Sequence, residues 1–381
     1  MHDDARREAE VLVGLGSLHR EQARGTQARA CLEEALAIAR RIEDRACEAD
    51  AQSGLAILDR QQSHPKDARE HFEAALAIAR ELGDRHEEGI VLGGLGLLHS
   101  EAGEGERARR EFEAALAVAR EVDDRALEGT VEGNLAQLLF EQGRFDEAHT
   151  HLETALAIHR EVGNRRLEGI VLGNLGPLWM FKGHPDASQE CFEGALAIAR
   201  ELGNRRHQSF LHATLGILRH GQGRLSEARA DYEAALVIAR EVGDRRSGGI
   251  ALSRLGLISV EQGKLAEART RYELALDDAR QGGYRRLEGV VLGGLGALLV
   301  KEGKLAEGLA SLRAGEGLLR EVDDREELAK LLCIRGEIEV AAGARDSAIA
   351  ALEEATAIAQ ALRATSDSEL GRRIETLRGM L

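Results

Sequence analysis

The sequence predicts an all-α solenoid, and three observations carry that prediction. The 381-residue chain repeats itself every 40 residues from end to end, and a constant period of about 20–50 residues marks a stacked array. Each period reads as two amphipathic helices joined by short polar turns. Small residues recur where those helices would cross. Leu15, Leu55, Leu95, Leu135, Leu175, Leu215, Leu255 and Leu295 share one position of the period. The next position holds Gly16, Ala56, Gly96, Ala136, Gly176, Gly216, Gly256, Gly296 and Gly336.

Residues 84 to 122 illustrate the unit. Asp84 suits an N-cap, and Gly83 before it suits the end of the preceding helix. A first helix, A, is predicted from about Arg85 to Ala102, with Val91, Leu92, Leu95 and Leu98 at helical spacing on one side. Gly103 ends it. Glu106 and Arg107 open a second helix, B, with the apolar set Ala108, Phe112, Ala115, Leu116 and Val118. It ends near Val122, and the cycle restarts at Asp124. Such a pair needs neighbours on both sides to cover its apolar faces.

Nine pairs are expected, starting near residues 5, 45, 85, 125, 165, 205, 245, 285 and 325. Beyond them Ser366-Asp367-Ser368-Glu369 has capping-box spacing. Leu370, Ile374 and Leu377 then place one apolar stripe on an otherwise polar helix, the C-terminal cap that arrays need for solubility. The expected organisation is therefore a repeat array over residues 1–363 and a capping helix over 364–381. No N-terminal counterpart is visible, since Asp3-Asp4 falls on the loop position of the period, like Asp123-Asp124. The chain reads as starting inside an array, either as a module of a larger signalling protein or with an exposed first pair.

Gly96 on helix A and Ala108 and Ala115 on helix B allow close helix approach, with Leu95 and Phe112 filling the space beside them. The series Leu92, Leu95, Gly96, His99, Ala108, Phe112 and Ala115 resembles the tetratricopeptide repeat (TPR). Arg120 stands where that family usually has a late proline, and the unit is longer than the common one of about 34 residues. The 40-residue form resembles the repeats of kinesin light chains, spindle-orientation adaptors and many bacterial signalling proteins. The resemblance covers essentially the whole chain. It implies a right-handed superhelix of about nine helix-turn-helix repeats, with helix A lining a concave ligand groove.

Composition narrows the function. A net charge of −15 argues against nucleic acid or an anionic membrane as partner. No apolar run approaches the roughly 18 residues of a membrane span, and the charged start from Met1 to Glu10 is no secretory signal. Four scattered cysteines, Cys31, Cys47, Cys191 and Cys333, fit free thiols in a cytoplasmic setting.

Several patterns have plain structural readings. An arginine ladder (Arg40, Arg80, Arg120, Arg160, Arg200, Arg240, Arg280, Arg320) runs beside a glutamate ladder (Glu33, Glu73, Glu113, Glu153, Glu193, Glu233, Glu273). The two are expected to neutralise each other and to link adjacent repeats. Gly89, Gly93, Gly94 and Gly96 crowd one helix, as do Gly289, Gly293, Gly294 and Gly296. Each interior glycine costs about 0.8–1 kcal/mol against alanine, so neighbours must hold helix A, and some of these glycines are expected to face the groove. The strings G-G-L-G-A-L and G-G-L-G-L-L follow no strand and lack a P-loop lysine, so no nucleotide or other cofactor is expected. His149 and His151, or His212 and His220, show no metal-ligand spacing, and no nucleophile–base set stands out, so neither a metal nor a catalytic site is expected.

The informative residues are the departures from the copies. One helix A position reads Gly14, Gly54, Gly94, Asn134, Asn174, Thr214, Arg254, Gly294. In the longer-period families, asparagines at this site resemble a ladder that hydrogen-bonds the backbone of an extended peptide, a role an amide fills by donating and accepting at once. Nearby stand Phe140, Trp179, Met180, Phe181 and Phe210, residue types suited to binding hot spots. Pro177, inside a predicted helix A, removes a hydrogen bond to Gly173 and costs about 3 kcal/mol, which marks the region for attention. The position before the asparagines holds Gly93, Gly133, Gly173, Ala213 or Gly293, so the basic clamp of chaperone-tail-binding relatives is missing. The expected function is a non-catalytic scaffold for a peptide or protein segment. Its candidate contacts are Asn134, Gln137, Phe140, Asn174, Met180, Phe181, Phe210 and Arg254. The alternatives are a sensor arm of a larger bacterial kinase, cyclase or signalling ATPase, and end-to-end self-association through the first repeat.

Overall fold

A computed structural model describes residues 2–22, 24–362, 364–366 and 368–381. Nineteen helices and no strand occur among them. Two compact units divide the chain between Cys191 and Phe192. The first holds α1 (His2–Glu21), α2 (Gly25–Arg41), α3 (Arg45–Gln61), α4 (Pro65–Leu82), α5 (Arg85–Glu101), α6 (Gly105–Glu121), α7 (Arg125–Glu141), α8 (Phe145–Glu161) and α9 (Arg165–Phe181). Helix α10 (Pro185–Glu201) crosses the boundary. The second unit continues with α11 (Arg205–Gly221), α12 (Leu225–Glu241), α13 (Arg245–Glu261), α14 (Leu265–Gln281), α15 (Arg285–Lys301), α16 (Leu305–Glu321), α17 (Arg325–Ala341), α18 (Arg345–Ala361) and α19 (Glu369–Met380).

The odd helices through α17 are the predicted A helices, and their starts are written in the sequence. Asp84, Asp124, Asn164, Asn204, Asp244 and Asp324 each cap one, accepting a hydrogen bond from the backbone N–H three residues on. Tyr284 stands at the same place before α15 and makes no such bond. Gly83 and Gly103 take positive φ, +69° and +74°, so the chain can reverse on either side of α5. Asp123 and Asp323 hold the turn position without glycine, at φ of 56° and 51°.

Within each unit, successive odd helices touch one another, α3 with α5 and α5 with α7, or α13 with α15 and α15 with α17. That repeated contact places the odd helices on the inside of each unit's curve. The core lies between the two layers, where Phe72, Phe112, Phe192 and Tyr232 are fully buried beside alanines of the even helices. The glycines on helix A are seats for these rings. A Cβ at Gly94 would lie 2.5 Å from the Phe72 ring, and one at Gly96 would lie 2.5 Å from Phe112. The expectation that such glycines open the groove is corrected: neighbouring side chains fill most of these places. Gly133 differs, with nothing within 4 Å of the Cβ position.

The charge ladders are also corrected. The arginines do not pair with the Glu33–Glu273 series. Arg40, Arg80, Arg120, Arg160 and Arg280 reach the next odd helix and meet Glu48, Glu88, Glu128, Glu168 and Glu288 at 2.8–3.0 Å. A second arginine, Arg45, Arg85, Arg125, Arg165 or Arg285, holds the other oxygen of the same carboxylate. Burial pushes these carboxyls up, but the two guanidiniums outweigh it and hold Glu48, Glu88 and Glu168 below the usual range. Several outer glutamates pair within their own helices, as Glu113 does with Arg109 and Glu233 with Arg229, while Glu193 meets Arg219 of α11 at 2.8 Å.

Helix α19 lies on α17 and α18 and buries Leu370, Ile374 and Leu377. Leu377 occupies the space where a Cβ at Gly336 would fall. The N-cap of α19 is Ser368, which accepts from the Gly371 N–H at 3.0 Å, so the cap lies two residues beyond Ser366, and with Gly371 at its third position it is not the expected box. Asp367 lies outside the described residues.

Candidate functional site

The inner face of each unit is the one surface of the odd helices that the packing leaves open. On α9 it carries Ile170, Asn174, Pro177 and Phe181, spaced four, three and four residues apart on one stripe of the helix. On α7 the matching residues are Thr130, Asn134, Gln137 and Glu141. Asn134 and Asn174 stand at equivalent positions of neighbouring, touching helices. Both are half-buried, and neither side chain makes a hydrogen bond within the described chain. Gln137 is exposed and donates to Glu141 at 2.8 Å. Helix α9 runs unbroken through Pro177.

At the turn end of these helices three phenylalanines gather. Phe140 meets Phe181 edge-on at 5.5 Å, and Phe145, at the start of α8, stacks on Phe181 at 4.8 Å. Phe181 remains 67% exposed and Met180 40%, an apolar surface beside the two free amides. Sequence reasoning missed Phe145, which belongs to helix B of its repeat; a ring where the neighbouring copies hold Gly105 and Pro185 was the available signal. Trp179 turns away from the stripe and packs edge-on between His149 and His184, at 4.7 and 5.5 Å, with the Lys182 ammonium 5.9 Å from its ring centre.

Two candidates lie in the second unit. Phe210 on α11 is 56% exposed, and Arg254 on α13 is half-buried. Arg254 lies close enough to Tyr232 and Tyr272 to oppose the upward push of burial on both phenols. Three other histidines singled out from the sequence pair with carboxylates: His151 with Glu132 at 2.5 Å, His212 with Asp231 at 3.0 Å and His220 with Glu261 at 3.0 Å. All four cysteines are free, and burial pushes the thiols of Cys47, Cys191 and Cys333 up to about 11, which keeps them protonated at neutral pH. Among the described residues no helix is long and apolar enough to cross a membrane.

Comparison with known proteins places this architecture. The tetratricopeptide-repeat family model matches residues 7–81, 87–161, 127–201 and 209–281, more than half of the chain. The chain belongs to the tetratricopeptide-repeat family. A model for anaphase-promoting complex subunit 5 also matches residues 330–367. No curated protein sequence matches. Among solved structures, this TPR chain resembles the apo quorum sensor NprR from B. thuringiensis, with a TM-score of 0.71 and 14% identity over 93% of this chain and 99% of that one. It also resembles a Rap protein complexed with competence and sporulation factor, with a TM-score of 0.66 and 16% identity over 94% and 99%. A third likeness is to a signal transduction ATPase with a tetratricopeptide repeat sensor from Pyrococcus horikoshii. There the TM-score is 0.67 and the identity 16%, over 85% of this chain and 50% of that one. At these identities the likeness is one of fold.

Proposed function

We propose that this TPR array is a non-catalytic cytoplasmic scaffold that binds an extended peptide or protein segment on the inner face of its odd helices. The observation that carries the reading is the pair Asn134 and Asn174. Two half-buried amides with no partner among the described residues, one repeat apart on touching helices, suit the alternating donors and acceptors of an extended backbone. Phe140, Met180 and Phe181 then receive an apolar side chain, and Gln137 adds a polar contact. Phe210 and Arg254 would engage a segment on the second unit, with Arg254 favouring an acidic residue.

The test is a displayed peptide library selected against the full chain, followed by titration of the selected peptides with Asn134→Ala/Asn174→Ala. Backbone hydrogen bonds contribute about 0.5–1.5 kcal/mol each, so the double variant should bind at least about tenfold more weakly while melting at the wild-type temperature. Equal affinity would remove the asparagines from the site.

A second reading rests on α1. Leu15 is 41% exposed, where Leu95 at the same position is 6%, and Val11 and Leu18 beside it are 60% and 47% exposed. That apolar face suits end-to-end stacking on another copy or on another segment of a longer signalling protein, as a sensor arm would require. Sedimentation that stays monomeric at all concentrations, in wild type and in Leu18→Asp alike, would rule out stacking between copies.

A further inference from the structure

In the second repeat, four positions that the fold brings together all carry histidine or aspartate, a combination that recurs in no other repeat. Asp59 lies near the end of α3. His64 is the N-cap of α4, Asp67 sits in its first turn, and His71 follows one turn later. The third repeat has His99, Glu104, Arg107 and Glu111 at these places, and the fifth has Trp179, His184, Ala187 and Cys191. The second repeat fills all four with histidine or aspartate.

One donor atom from each of Asp59, His64 and Asp67 lies within 4.8 Å of the other two. His64 Nδ1 is 3.8 Å from Asp59 Oδ1, and His71 Nε2 is 3.6 Å from Asp59 Oδ2. Asp59 has no exposed surface, and its Oδ2 receives no hydrogen bond. Arg29 of α2 donates to Oδ1 and also to Gln62. Oδ2 is therefore a buried acceptor without a hydrogen bond that faces His71, while His64 lies on the Oδ1 side beside Arg29; leaving such an oxygen unmatched costs stability. His71 is already oriented: its Nδ1 lies 2.5 Å from Gln52 Oε1. With Nδ1–H donated to that amide, the Nε2 lone pair points toward Asp59. Outer partners of this kind fix the tautomer of metal-binding histidines.

We propose that Asp59, His64 and Asp67, with His71 as fourth donor, bind one divalent transition ion of the zinc type. Two imidazole nitrogens and two carboxylate oxygens match the preferences of Zn²⁺, whereas Ca²⁺ takes six or more oxygens and Mg²⁺ demands an octahedral oxygen shell. Bonds of about 2.0–2.2 Å place tetrahedral donors roughly 3.4 Å apart; the separations of 3.6 and 3.8 Å run to the two different Asp59 oxygens, so His64 must also shift toward Oδ2. His64 and Asp67 are exposed and free to move. The ion would clip the end of α3 to the start of α4 across their turn. Sequence spacing hid this set, because five residues and a chain reversal separate Asp59 from His64.

The test uses the full chain after chelator dialysis. Zn²⁺ is titrated by calorimetry, and Co²⁺ by its visible absorption, which reports coordination geometry. One ion per chain and a four-coordinate Co²⁺ spectrum are expected. His64→Ala and Asp67→Asn, both at exposed positions, should each weaken binding by at least about tenfold with unchanged circular dichroism. His184→Ala, at the equivalent slot of the fifth repeat, should bind like wild type. No uptake, or uptake indifferent to His64→Ala and Asp67→Asn, overturns the proposal.

Discussion

Glu87 should make this array less stable as pH rises through neutrality. It sits in the first turn of α5, 8% exposed, one residue before Glu88. Glu88 has two arginines; Glu87 has the Ser53 hydroxyl on α3 and, beside it, the carboxylates Asp50 and Asp84. Burial pushes its carboxyl up from 4.5 to about 7, Ser53 opposes the rise, and Asp50 and Asp84 add to it. Between these two values the folded chain holds a proton that the unfolded chain has released. Stability is therefore full below about pH 4.5, falls as pH rises toward 7 and levels off above. At 1.36 kcal/mol per pH unit the whole effect is roughly 3 kcal/mol. Glu87→Gln keeps the shape and removes the charge. Its stability should match wild type near about pH 5 and exceed it by roughly 3 kcal/mol near about pH 8. Urea unfolding followed by circular dichroism at several pH values reads the difference, and hydrogen exchange localises it to α3 and α5. Parallel curves for the two proteins from pH 5 to 8 would refute the argument.

The two glutamate ladders should separate by mutation. Glu128→Ala removes a buried carboxylate held by Arg120 and Arg125 and should cost about 1–3 kcal/mol in urea unfolding; Glu113→Ala breaks an exposed pair with Arg109 and should cost under about 1 kcal/mol. Glycine should act in both directions on helix A. Gly96→Ala drives a Cβ against the buried Phe112 ring and should destabilise by about 1–3 kcal/mol, whereas Gly133→Ala meets nothing within 4 Å and should stabilise by up to about 1 kcal/mol. Thermal melts of the two variants would move in opposite directions.

The fold was legible because its determinants are local and repeated. Asp84, Gly83 and Gly103 are a cap and two turn residues read directly from their neighbours, and the spacing of Leu92, Leu95, Ala108 and Phe112 states which faces meet. The ion pairing was misread because proximity along one helix was taken for proximity in space. Arg120 lies seven residues from Glu113 on its own helix, yet the side chain crosses to Glu128 on the next. The copies at Glu48, Glu88, Glu128, Glu168 and Glu288 were visible in the period, but a charged ladder in the first turn of a helix reads as solvated until its neighbour's arginine is placed. The candidate site was half legible. The asparagines emerge by comparing copies, while Phe145 and the Asp59 cluster depend on how a turn folds back.

Where the buried glutamate is replaced, the array shows how it compensates. The period puts Gln208, Gly248 and Leu328 at that position in three repeats. Gln208 still donates to the Ala199 carbonyl at 2.9 Å, and Leu328 is buried at 6% exposure. Gly248 offers neither a charge nor a side chain to Arg240 and Arg245. In the same repeat Asp278 stands where other copies have Ile38, Ile78, Val118, Ile158 and Ile238. Its Oδ2 lies 3.9 Å from the place a Cβ at 248 would occupy. Burial pushes the Asp278 carboxyl up, and Arg245 and Arg240 both oppose that rise. Asp278 thus brings a carboxylate from α14 toward both arginines, but burial and the adjacent Asp277 outweigh them, and its carboxyl stays above the usual range. It follows that Gly248→Glu alone should gain little: its Cβ fits, at 3.7 Å from Ala239, but its carboxylate would crowd Asp278. Asp278→Ile alone should raise stability modestly at neutral pH, because it removes a buried carboxylate whose charged form the fold disfavours. Together the two changes rebuild the regular clamp, so the double variant should exceed the sum of the singles by roughly 1–2 kcal/mol. A double-mutant cycle in urea measures this coupling, and strict additivity would show that a carboxylate at 248 and Asp278 do not interfere.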